Sequence, residues 1–76
     1  MTTVDHTVGQ TIEIVLNGDS VSIEGSTVAA IIEQLKLGDK KVAVELNKNI
    51  VARGEYQNTQ ISTGDTVEIV HFVGGG

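Results

Sequence analysis

Apolar and polar residues alternate with period two near both ends of this chain, and recur with a helical period once in between. Residues 11–16 place Ile12, Ile14 and Leu16 on one face of a strand. Asn17-Gly18 follows, the strongest short hairpin signal because a type I′ turn needs φ > 0 at both central positions. Residues 19–24 read as the returning strand, with Val21 and Ile23 inward and Ser20, Ser22 and Glu24 outward. Gly25-Ser26-Thr27 breaks that strand and offers Ser26 or Thr27 as a helix N-cap. Val28, Ile31, Ile32 and Leu35 then fall on one stripe of an amphipathic helix, with Gly38 as its expected C′ stop. With one helix available, that stripe is the cover of a sheet.

Residues 41–46 alternate again, Val42, Val44 and Leu46 inward and Ala43 and Glu45 outward. Asn47-Lys48-Asn49 reads as a turn and residues 50–52 as a short returning strand. The polar stretch 53–59 predicts no more than a single helical turn near Tyr56. Arg53 and Tyr56 read either as a binding pair or, more simply, as a surface pair capping the core edge. Ile61 plugs that edge, and Gly64-Asp65 turns the chain into a final strand. There, Val67, Ile69 and His71 share one face, and Glu68, Val70 and Phe72 the other. The pattern predicts an α+β domain with one main helix across one face of a mixed sheet, and it leaves the strand order open.

If the helix covers the Val67 and Ile69 side, Val70 and Phe72 stand on the open face, beside Val15. An aliphatic and aromatic patch there suits partner docking; the alternative turns Phe72 back into the core. His71 reads as a rim residue rather than a general base, because no Asp, Ser or Cys stands at a telling spacing.

Composition narrows the picture. Seventy-six residues make one small domain, and a chain of that size buries only about 60% of the surface its unfolded form exposes. There is no cysteine, which excludes a disulfide framework, a thiolate metal site and a cysteine nucleophile. Two histidines, His6 and His71, stand too far apart to suggest a metal site. The net charge of −5 argues against nucleic acid, which needs clustered cations. An acidic surface either attracts a basic partner patch or simply keeps a small protein soluble. No stretch reaches the roughly 18 apolar residues of a membrane span. Residues 1–10 lack the features of a signal peptide and read as a polar, disordered extension. The expected setting is therefore cytoplasmic.

The end of the chain carries the candidate chemistry. A run of β-branched and aromatic residues passes without a polar spacer into Gly74-Gly75-Gly76. Glycines without Cβ atoms can thread a narrow channel and leave the last carbonyl unhindered. A C-terminal carboxylate is ionised at neutral pH and can attack the α-phosphate of ATP. The resulting acyl-adenylate is open to sulfur or nitrogen nucleophiles. The plain alternative is an inert, frayed end.

The stretch from Val67 to Gly76, the Asn17-Gly18 turn, the Thr27-Val28 helix opening, Glu45-Leu46-Asn47 and Gly64-Asp65 together resemble the ThiS family, sulfur carriers of thiamin biosynthesis. The resemblance covers residues 11–76, and the His71-Phe72-Val73 context separates it from other ubiquitin-like carriers. It implies a β-grasp, ubiquitin-like fold over residues 11–73, with the first and last strands parallel at the sheet centre and residues 74–76 as a flexible tail. It implies that Gly76 is adenylylated by a ThiF-type, E1-like adenylyltransferase using ATP and magnesium. Sulfur from a cysteine-derived donor then makes a covalent C-terminal thiocarboxylate, which is passed to thiazole synthase, ThiG. On this reading the chain binds no cofactor or metal and is a protein cosubstrate, not an enzyme. Gly75 pairs with Gly76, Gly74 is an extra glycine present in only some members, and Val70 and Phe72 are the docking candidates. The ten residues before Thr11 depart from the family's compact start. The rival readings are a MoaD-like small subunit of molybdopterin synthase, a ubiquitin-like modifier, and a binding module with an inert tail. A chain whose aromatics are limited to Tyr56 and Phe72 is unlike the first.

Overall fold

The computed structural model describes residues 11–38 and 40–71; the expected N-terminal extension, residues 1–10, lies outside them. Strands β1 (Thr11–Leu16) and β2 (Asp19–Glu24) form the expected hairpin, in antiparallel register from Thr11↔Glu24 to Leu16↔Asp19. Asn17 and Gly18, at φ 50° and 90°, make its two-residue turn, and the glycine takes its left-handed angle without a steric cost.

Helix α1 (Val28–Gln34) starts as expected: the Thr27 hydroxyl accepts a hydrogen bond from the Ala30 amide at 3.1 Å. Gly25, just before it, has φ +95°, and a Cβ there would lie 2.9 Å from the Ala30 Cβ. The helix stops earlier than the sequence suggests. Lys36, not Gly38, takes the left-handed C′ position, at φ 60°. The Leu37 amide donates to the Ile32 carbonyl at 2.9 Å and the Lys36 amide to the Glu33 carbonyl at 3.0 Å. These two bonds are a Schellman closure. Its physical reason is Leu37, which packs against the core from the position just past the reversal. Leu35, expected in the buried stripe, sits at the C-cap and is 39% exposed.

Strand β3 (Val42–Leu46) and the short β4 (Asn49–Val51) pair antiparallel, Leu46 facing Asn49. That register leaves only Asn47 and Lys48 for the turn, so β4 begins one residue before the expected position. A 3₁₀ helix follows over Arg53–Asn58, longer than the single turn expected.

Strand β5 (Thr66–His71) lies in the middle of the sheet, whose order is β2-β1-β5-β3-β4. It runs parallel to β1 and antiparallel to β3. This is the β-grasp arrangement, and its parallel first and last strands agree with the family resemblance. Helix α1 covers one face through Val28, Ile31 and Ile32, against Ile14, Val44 and Val67. Val28, Ile31, Val44 and Val67 are all fully buried. Ile61 closes the edge of this core, as expected, at 3% exposure.

Candidate functional site

The last strand is held from both sides. The Val15 amide donates to the Asp65 carbonyl and the Asn17 amide to the Val67 carbonyl, at 3.0 and 2.9 Å, so odd-numbered positions of β5 address β1. The Asn47 amide donates to the Thr66 carbonyl at 2.7 Å, so even-numbered positions address β3. β1 ends beside Val67, and from there a side chain takes over. The Asn17 Oδ1 accepts from the Ile69 amide at 2.8 Å, and its Nδ2 donates to the Ile69 carbonyl at 3.2 Å. One carboxamide thus supplies a donor and an acceptor that the next residue of β1 would otherwise provide. At the start of β5, Asn47 Oδ1 accepts from the Thr66 amide at 2.9 Å and its Nδ2 donates to Asp65 at 3.2 Å. Sequence reasoning saw Asn17 and Asn47 only as turn formers. The available signal was a polar side chain, at a strand's end, able to mimic a peptide group.

Val70 stands on the open face as expected, 56% exposed. Its cross-strand partner is Ala43, not Val15, because β1 meets β5 at Thr66 and ends before Val70 is reached. Glu68 faces Glu45 on the next pair towards the strand's start, and Glu45 in turn faces Ile50, which is 77% exposed. The open face is therefore an apolar patch crossed by two directly opposed carboxylates, an unfavourable pairing across a sheet. His71 is exposed and pairs with Val42 at the last described position of the strand. Phe72 and the tail glycines Gly74, Gly75 and Gly76 lie outside the described residues.

Arg53 and Tyr56 have different partners within the fold. Arg53 Nη2 donates to the Gly38 and Lys40 carbonyls at 3.3 and 3.4 Å, tying the 3₁₀ helix to the loop before β3. Tyr56 packs against the core. Both line an open cleft of about 810 Å3 with Ile32, Glu33, Lys36 and Gly38. Among the described residues no group of three or more His, Cys, Asp or Glu could hold a metal ion. No described helix is long and apolar enough to cross a membrane.

Comparison with known proteins adds an independent line. The model of the ThiS family matches residues 8–76. Sulfur carrier protein ThiS of Bacillus subtilis is 38% identical over 63 residues, 80% of this chain and 96% of that protein. A thiazole synthase of Magnetococcus marinus is 42% identical over 65 residues, 84% of this chain but 20% of that protein. The chain thus spans a fifth of that relative's length. Among solved structures, the crystal structure of the thiamine biosynthesis protein ThiS from Geobacter metallireducens superposes with a TM-score of 0.71 at 32% identity. It covers 86% of this chain and 100% of that one. Sheet order, helix placement and sequence likeness agree, and the chain belongs to the ThiS family.

Proposed function

We propose that this chain is a sulfur carrier of thiamin biosynthesis, a protein cosubstrate whose reactive group is the Gly76 carboxylate. The observation that carries this reading is the family match, which runs through residue 76, where the chemistry falls. The fold supports it: a central strand pinned by Asn17 to within two residues of His71 gives a fixed base for a glycine end.

In the first step a Gly76 carboxylate oxygen attacks the α-phosphate of ATP on a ThiF-type, E1-like enzyme. Pyrophosphate leaves with magnesium, and a mixed carboxylic–phosphoric anhydride is formed. In the second, cysteine-derived sulfur delivered as hydrosulfide adds to the acyl carbon, AMP departs and the sulfur's proton is lost, leaving a thiocarboxylate. The protein supplies no acid, base or metal to either step. Its residues present the carboxyl group, and Gly74 and Gly75 let it enter a narrow site. Val70, with Phe72, docks the sheet face on the partner. The likeness to a segment of thiazole synthases supports a thiazole synthase as the recipient of the sulfur. A cytoplasmic location belongs to the same reading.

Replacing Gly76, as in Gly76→Val, or extending the chain by an untrimmed alanine, is expected to abolish ATP-dependent pyrophosphate release while leaving the melting curve unchanged. Normal release by the extended protein would show that another group is activated.

A further inference from the structure

The protein carries a net charge of −5, yet four of its five cations, Lys36, Lys40, Lys41 and Arg53, come together at one end. The fold puts them there. Lys36 closes α1, Lys40 and Lys41 lead into β3, and Arg53 holds that loop through the Gly38 and Lys40 carbonyls. The pairing of Val42 with His71 sets this end of the molecule beside the exit of β5. Lys36, Lys40, Lys41 and Arg53 are all exposed. Glu33 is the acidic residue in the wall of the neighbouring cleft, Asp39 directly precedes Lys40 in the sequence, and Asp19 lies across β5 on the first hairpin, so the four cations outnumber the acidic residues at this end. The fifth cation, Lys48, sits in the turn at the opposite end of β5. At 3.3 Å per residue that is about 17 Å away, some two Debye lengths at physiological salt.

We propose that this cationic end is a docking surface for an acidic protein surface at the mouth of the site that receives the tail. The inference rests on the sulfur-carrier reading and deepens it by naming the chemistry of the partner's rim. Whatever takes up the end of the chain must approach over the exit of β5. A basic rim would there meet Lys36, Lys40 and Lys41, and juxtaposed like charges cost several kcal/mol. An acidic rim is repelled by most of this protein and attracted at that one end, so the charge separation orients the encounter.

The test is the second-order rate of ATP-dependent pyrophosphate release, with the full chain and its E1-like enzyme, for the parent, Lys40→Glu, Lys41→Glu and Lys48→Glu. Each substitution changes the net charge equally, so Lys48→Glu controls for overall charge, and thermal melts confirm folding. At physiological salt, where Lys48 is screened from the exit of β5, Lys40→Glu and Lys41→Glu should each slow capture on the order of fivefold through lost electrostatic steering. Lys48→Glu should leave capture within about twofold of the parent, and the differences should fade as salt screens them. Equal slowing by all three, or faster capture by the exit-end variants, overturns the inference alone. A defect confined to the rate at saturating enzyme also overturns it, by placing the lysines on the nucleotide. No release from the parent, with an enzyme active on a control carrier, overturns the sulfur-carrier reading and this inference with it.

Discussion

Two asparagine turns bracket the strand that leads to the tail, and they solve the same problem with unequal comfort. Asn17-Gly18 lies towards the exit of β5 and Asn47-Lys48 at its start. Both asparagines have φ 50°, and both turn a side chain back onto the backbone of β5. They differ in the second turn residue. Gly18 takes φ 90° freely, whereas Lys48 is held at φ 74°, a conformation that costs a side-chain-bearing residue about 1–2 kcal/mol. They also differ in grip. Asn17 binds both the amide and the carbonyl of Ile69 in a partly buried setting, while Asn47 binds one β5 amide, that of Thr66, in an exposed one. The firmer clamp is on the exit side of β5, the end nearer His71.

Breaking the firmer clamp should have the largest effect. Asn17→Ala strips Ile69 of both partners and is expected to cost about 1–3 kcal/mol, read as a lowered denaturation midpoint with an unchanged slope. The Ile69 amide should also lose hydrogen-exchange protection while Thr66 keeps its own. Uniform loss of protection along β5 would show that Asn17 acts through global stability alone. Gly18→Ala forces a Cβ into the left-handed region and should cost about 1–2 kcal/mol. Asn47→Ala should cost less, about 0.5–1.5 kcal/mol, because water can reach the Thr66 amide. A loss equal to that of Asn17→Ala would erase the distinction between the two ends. The smallest effect has the opposite sign. Lys48→Gly relieves strain but frees the unfolded chain, so its net gain should be under about 1 kcal/mol; a clear loss would mean that the Lys48 side chain has a structural role.

Which parts of this were legible in the sequence follows from the kind of physics involved. Period-two alternation marked Ile12, Ile14, Val44, Val67 and Ile69 as inward, and all are buried, because burial of one sheet face is written directly into the residue pattern. Asn17-Gly18 announced its hairpin for the same local reason. Asn47-Lys48 announced a turn but not its length, since a lysine in a left-handed turn position is set by the Leu46↔Asn49 register rather than by preference. The helix stop was misplaced at Gly38 because Leu37's packing, a tertiary fact, selected Lys36. The central place of β5 came from the family resemblance and not from periodicity, which carries no information on strand order. At the candidate site, Val70 was readable as an outward apolar residue. The Asn17 clamp was not, because a strand-mimicking carboxamide is visible only once β1 and β5 are seen side by side. Lys36, Lys40 and Lys41 are close neighbours in the sequence, but their place beside the exit of β5 and the joining of Arg53 were invisible for the same reason: Arg53 is remote in sequence from Lys40 and meets its carbonyl only in the fold.

The central claim is that Gly76 carries sulfur. It is tested most directly by the intact mass of the protein before and after incubation with ATP, the E1-like enzyme and a cysteine-derived sulfur source. The expected result is a gain equal to exchanging one oxygen for sulfur, confined to the C-terminal peptide. An unchanged mass, alongside a control carrier that the same enzyme loads, would contradict it.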